Sequence, residues 1–313
     1  MAHLHQHAHS LNLRTVIWNR REYPGSTRYS DEEIEDQVNG RTGFLKGLGV
    51  LMKDFLEKFI RQENIPKTNH RKTGGVVILG WSIGCITAMS LFFPDTGVFD
   101  DDVEGYCTLE SYVRDLVLYD PPHNAFGYPG PQGRTFYIPF TDPAHQGKTI
   151  EEKYKLFAQW VASYYDHDLK MGVPDGLKSR RNAEKTSLDS WTENDLEKGS
   201  PAMQSTLRKV TERLLFVSSE DGRKDSFSKV RITYISCAKS HWSCVWAAYK
   251  IRRMFQDFLK NGRSPQRWIN FTVIEDGNHF VHLDSSEGFL AIVKEGVVVP
   301  NSDALNAVSI SEA

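Results

Sequence analysis

Cysteine is scarce in this chain. Its four residues, Cys85, Cys107, Cys237 and Cys244, form no C-x-x-C pair and no dense spacing, so a disulfide-stapled scaffold is excluded and a reduced, intracellular, cytoplasmic protein is expected. Charge of one sign is lacking too: 38 Lys and Arg face 40 Asp and Glu for a net charge of −2. Nothing electrostatic therefore points to nucleic acid or an anionic membrane as partner. No apolar signal segment opens the sequence, which leaves secretion without support. The uncharged segment 75–93 approaches the roughly 20 apolar residues of a spanning helix. It contains Ser82, Thr87, Ser90 and three glycines, with strand-forming residues in one half only, and so reads as a buried strand plus helix rather than a span. The one sequon, Asn270-Phe271-Thr272, falls inside an expected strand where a glycan would not fit.

What is present starts with residues 75–84, GVVILGWSIG. A run of β-branched apolar residues ends in G-x-S-x-G with Ser82 at its centre, and a helical segment from Ile83 to about Phe93 follows. A strand that turns sharply into a helix strains its turning residue, and Gly80 and Gly84 are expected to remove side chains that would clash there. The Ser82 hydroxyl would then stand above the sheet at a helix N-terminus, where backbone N–H groups favour a developing negative charge. The plainer alternative is a strand-to-helix turn with a capping serine.

The remaining elements alternate. Leu13–Trp18 (LRTVIW) reads as a buried strand. Residues 43–63 place Leu45, Leu48, Leu51, Phe55 and Phe59 at the spacing of an amphipathic helix. Further strands are expected at Leu116–Tyr119, Arg231–Ser236 and Asn270–Ile274, the last two separated by a helix over Trp242–Leu259. Strands alternating with helices imply an α/β fold with a mainly parallel sheet covered on both faces. Residues 121–229 break this rhythm with a Pro- and Gly-rich start, an aromatic helix around Tyr154, Phe157, Trp160, Val161 and Tyr164, a charged segment, and a helix over Gln204–Phe216. They read as an inserted helical cap between two parts of a core, 1–120 and 230–313. The cap aromatics could line a pocket for an apolar substrate or be ordinary core.

An activated serine needs a base, and the base needs a carboxylate to orient it. His279, in G-N-H just after the last strand, would reach the same rim of the sheet as Ser82; His282, at the start of the next helix, is the second choice. Asp120 ends the strand that follows the Ser82 unit, although an Asp before Pro121-Pro122 also suits a turn. Glu275 and Asp276 read as surface or supporting groups. His3, His5, His7 and His9 alternate and could share one edge for a metal if extended, but no further ligand follows, so neither a metal nor a cofactor is expected.

Together these residues resemble the α/β-hydrolase superfamily in its capped, serine-nucleophile branch: the elbow around Ser82, the late G-N-H, the inserted cap, and RTVIWNRREYPGST at residues 14–27, similar to the family's fourth strand and following turn. The resemblance implies hydrolysis of a small-molecule substrate, an apolar ester of small or medium size, through an acyl-serine without a cofactor. Ser82 would be nucleophile, His279 base, Asp120 acid and the N–H of Ile83 an oxyanion donor. Serine rather than aspartate at position 82 argues against epoxide hydrolase and haloalkane dehalogenase activity. The segment 236–243, where many members carry the acid, has Ser240 instead, which favours Asp120. The family's first three strands and its H-G oxyanion loop would precede Leu13 and are missing. An N-terminally truncated sheet is therefore expected, with strand 13–18 paired directly to strand 76–79 or edges left open, and a catalytically inactive binding or scaffold protein is the alternative reading.

Overall fold

The computed structural model describes residues 2–70, 72–180, 186–187, 200–216, 227–263, 265 and 267–298. The charged stretch of the expected cap and the tail beyond Pro300 lie largely or wholly outside them.

Along the chain come α1 (His5–Ala8), α2 (Asp31–Asn39), α3 (Thr42–Gln62), β1 (Val76–Trp81), α4 (Cys85–Ser90), α5 (Val103–Glu110) and β2 (Val113–Tyr119). Then follow α6 (Ile150–Val161), α7 (Pro201–Leu215), β3 (Arg231–Cys237), α8 (Trp242–Lys260), β4 (Ile269–Ile274), α9 (Val281–Asp284) and α10 (Ser286–Val298). The four strands pair in chain order, β1-β2-β3-β4, and every pairing is parallel. All strand ends that carry expected site residues thus lie along one rim.

Period-two alternation divides the sheet into two apolar faces. Ile78, Leu116, Leu118, Ile232 and Tyr234 pack with α3, α4, α7 and α8 in the larger core. Val77, Leu79, Val117, Tyr119 and Ile235 face the other way, onto Leu4, Ala8 and the α10 residues Phe289, Leu290, Val293 and Val297. β2 is buried at every position, as expected for a strand covered on both faces. Each fully buried leucine there, Leu116 and Leu118, contributes roughly 1.5–3 kcal/mol by leaving water. A third cluster sits over the strand ends, where Trp160 and Val161 of α6 meet Trp242, Val245 and Phe280. Residues 121–229 therefore divide, α6 lying over the rim and α7 in the larger core.

The segment Leu13–Trp18 departs from expectation. It forms no strand; Val16 and Ile17 are nearly half exposed. Side chains hold it instead: Trp18 packs on Phe55 with ring centroids 4.9 Å apart, and Arg14 pairs with Glu63. Between this segment and β1 lies open space, part of a cavity of about 1400 Å³ lined by Leu13, Trp18, Phe59, Val76 and Ile78. A strand forms only when its backbone groups find a partner edge, and here the two backbones stay apart. Among the described residues β1 pairs on one side only. The histidine tract likewise folds into a 3-10 turn and α1, and in a helix residues two apart do not face one another, so the four alternating histidines do not share one edge.

The turn after β1 depends on one glycine more than on the other. A Cβ at Gly80 would lie 2.6 Å from the Cα of Cys85 and 2.8 Å from the Cβ of Ala88, whereas one at Gly84 would meet nothing closer than 3.8 Å. The first position is thus demanded by the close approach of α4 to β1, and the second is not, contrary to the expectation that both relieve a clash. Gly80→Ala should destabilise the fold by about 1–3 kcal/mol through overpacking, read as a lowered Tm, while Gly84→Ala should cost distinctly less.

Candidate functional site

Ser82 follows β1 directly and opens a 3-10 turn, Ser82–Gly84, that leads into α4. Its φ is +55°, a left-handed conformation that non-glycine residues avoid. The strain is the one expected of a serine at a sharp strand-to-helix turn, and Ser82 is among the residues that line the cavity. Ile83, the next residue, also lines the cavity, and its N–H belongs to the first-turn donors that helical bonding leaves over.

Asp120 lies one residue beyond β2 and has φ +46°. Its N–H donates to the Ile235 carbonyl at 2.7 Å, so pairing with β3 continues one residue past the strand. The carboxylate is 1% exposed and accepts three hydrogen bonds. Cys237 N–H donates to Oδ1 at 3.0 Å. The Ser240 hydroxyl donates to Oδ2 at 2.5 Å, and the His279 Nδ1 lies 2.7 Å from the same oxygen. A buried carboxylate is tolerable only with such a set of donors. Ser240, in the turn after β3, thus contributes as a donor to the carboxylate that follows β2.

His279 follows β4 by a short loop and is 1% exposed. Its backbone carbonyl accepts from Trp81 Nε1 at 3.0 Å and from the Tyr119 hydroxyl at 3.2 Å. The neighbouring Asn278 donates to the Ala162 carbonyl at 2.7 Å and caps the Phe280 N–H at 2.9 Å. Trp81 flanks the imidazole, centroid to centroid 5.2 Å. The ring is therefore held by its backbone, its neighbours and Asp120 together. His279 and Ser82 line the same cavity, and among the described residues no hydrogen bond joins them.

His282 is also buried, but its Nδ1 is taken by the Tyr119 hydroxyl at 3.1 Å, and burial lowers its pKa to about 2, so it stays neutral. Glu275 and Asp276 are exposed; Asp276 pairs with Lys239 at 3.1 Å. Of the aromatics expected in a cap, Phe157 and Trp160 reach the cavity wall, while Tyr154 packs against Phe140 and Tyr164 bonds to Asp284.

Sequence reasoning passed over two neighbours. His241, at the N-cap of α8, is buried with its ring centroid 5.0 Å from that of His279, and burial together with the nearby His279 pushes its pKa well down. Cys244, one turn on, places Sγ 3.3 Å from His241 Nε2 and 3.7 Å from His279 Nδ1. A histidine three residues before a cysteine in the first turn of a helix was legible as one face, but nothing local connects that face to residue 279.

No family model and no curated protein matches the chain. A solved structure of an N-acyl homoserine lactone degrading enzyme aligns over 79% of this chain and 73% of its own, at 13% identity and a TM-score of 0.33. So loose a likeness carries no argument about activity, and the α/β class rests on the parallel sheet described above. No helix among the described residues is long and apolar enough to cross a membrane.

Replacing Ser240 with alanine removes one of three donors from a buried carboxylate, which should cost about 1–3 kcal/mol. Chemical denaturation compares it with the wild type; an unchanged midpoint would mean that the Ser240 contact contributes nothing.

Proposed function

We propose that the chain is a serine hydrolase that cleaves a small or medium carboxylic ester through an acyl-enzyme. The observation that carries the reading is the buried 2.7 Å contact between Asp120 Oδ2 and His279 Nδ1, at the wall of a cavity that also holds a serine in left-handed geometry. Asp120 fixes the imidazole tautomer with its proton on Nδ1, leaving the Nε2 lone pair as the base.

In the first step His279 Nε2 takes the Ser82 hydroxyl proton as Oγ bonds to the ester carbonyl carbon. The carbonyl oxygen becomes an oxyanion, which the Ile83 N–H at the start of the helical turn stabilises in this reading. Collapse expels the alcohol, which receives the proton from His279. Water then attacks the acyl-serine with His279 again as base, releasing the acid and restoring Ser82. Asp120 offsets the transient imidazolium charge and stays ionised. The apolar lining contributed by Phe157 and Trp160 suits an apolar acyl or alcohol group, and α6 acts in this reading as the part of the expected cap that closes the site from above.

Serine reactivity tests the reading directly. The purified chain should be labelled by a fluorophosphonate, Ser82→Ala should not, and Asp120→Asn should react about 10²–10⁴-fold more slowly through loss of the correct tautomer, with circular dichroism confirming each fold. A folded wild type that does not label would overturn the enzyme reading and favour a ligand-binding protein that keeps the three residues without their chemistry.

A further inference from the structure

One edge of β1 has no neighbouring strand among the described residues. The backbone groups on that edge can be assigned. Val76 N–H donates to the Tyr112 carbonyl at 2.8 Å, the side on which β2 lies. Backbone groups alternate in direction along a strand, so the N–H and C=O groups of Val77, Leu79 and Trp81 point away from β2. Across the gap, residues 14–18 make no backbone–backbone hydrogen bond among the described residues. Every residue from Gly74 to Gly84 and from Leu13 to Arg20 lines the cavity of about 1400 Å³. Successive residues of a strand face opposite ways, so an unbroken run of lining residues means that the cavity follows the edge of β1 and not one of its faces.

Two unpaired stretches of backbone therefore border one slot, and backbone N–H and C=O groups require partners. The walls of the slot are apolar, with Met52, Phe55 and Phe59 of α3 on one side and Leu290, Val293 and Val297 of α10 on the other. A hydrocarbon chain would suit the walls and leave the edges unpaired, which costs free energy in an apolar site. The edge of β1 is recessed between α3 and α10, so a second folded copy, whose own edge lies equally deep, does not reach it. An extended peptide meets both demands, because its main chain can pair with an edge while its alternate side chains fill the two walls.

Charge narrows the peptide further. Arg20 stands at the Ser82 end of the slot, where a Cβ on Gly84 would lie 3.8 Å from its Nη1. Lys294 stands toward the other end, three residues before Val297, whose carbonyl accepts from Arg231 at the start of β3 at 2.6 Å. Both cations line the cavity, and Glu63, the acidic lining residue, is paired with Arg14. We propose that the slot between residues 13–18 and β1 binds one extended peptide segment of a partner protein, adding it to the sheet as a strand. The segment is apolar on both faces over about six residues, the length of β1, as a strand covered on both sides must be. Acidic residues flank it. The site does not depend on the hydrolase reading.

Fluorescence polarisation with the intact chain tests the slot, using a dye-labelled synthetic peptide of alternating valine and isoleucine between two glutamates. Binding should saturate at one peptide per chain. Methylating alternate amide nitrogens of the peptide removes its donors to one edge and keeps its side chains, and should weaken binding about tenfold or more. Lys294→Glu, at a half-buried position, should weaken it about threefold, and exchanging one of the two glutamates for lysine should restore binding to that variant. Folded wild type that does not bind, or a folded Lys294→Glu that binds as before, would overturn the proposal. A methylated peptide that binds as well as its parent would overturn it too, since an apolar chain would then fill the slot without pairing. A chain that binds the peptide but never reacts with a fluorophosphonate keeps the slot and loses the hydrolase.

Discussion

The Asp120 carboxylate is the constraint around which the rim of the sheet is organised. It leaves β2 in a left-handed conformation and is held by an N–H at the end of β3, a hydroxyl in the turn after β3, and an imidazole from the loop after β4. Three consecutive strand ends are thereby tied to one charged group. In water each of those donors would have a solvent partner, so the net gain per bond is small; in the interior, losing any one leaves charge under-compensated. The arrangement is stable only as a set.

Placement of that set follows from the parallel sheet. Because β1, β2, β3 and β4 run in the same direction and in chain order, residues just beyond their C-terminal ends fall side by side, although Ser82 and His279 are far apart in sequence. Open parallel sheets gather ligands at this rim for the same reason. The helices contribute unequally. α4 presses onto β1 closely enough to require Gly80, which fixes the angle of the Ser82 turn, while α6 supplies aromatic groups above it. On the opposite face α10 packs on Val117, Tyr119 and Ile235, and Tyr119 carries that packing to the site through its hydroxyl on the His279 carbonyl.

Local sequence made much of this legible. The strands at Val76, Leu116, Arg231 and Asn270 and the helices at residues 43–63 and 242–259 were readable because apolar periodicity and β-branching are local properties. The pairing of Asp120 with His279 was readable only through the strand ends that both residues follow, and the structure brings the two together. Leu13–Trp18 was misread because a strand is defined by its neighbour: LRTVIW has the composition of one, but its backbone meets no edge. Gly84 was misread in the same way, since whether a glycine is sterically required depends on what stands opposite it.

By itself the sequence determined the α/β class, the strained serine turn and which polar residues end the strands, since each follows from side-chain periodicity or from residues adjacent in the chain. Tertiary structure decided that Ser240 serves Asp120, that His282 is occupied by Tyr119, that His241 and Cys244 gather beside His279, and that space separates β1 from residues 13–18. These are contacts between elements more than 30 residues apart, or the absence of such contacts, and their energies depend on burial and distance, which no local pattern encodes.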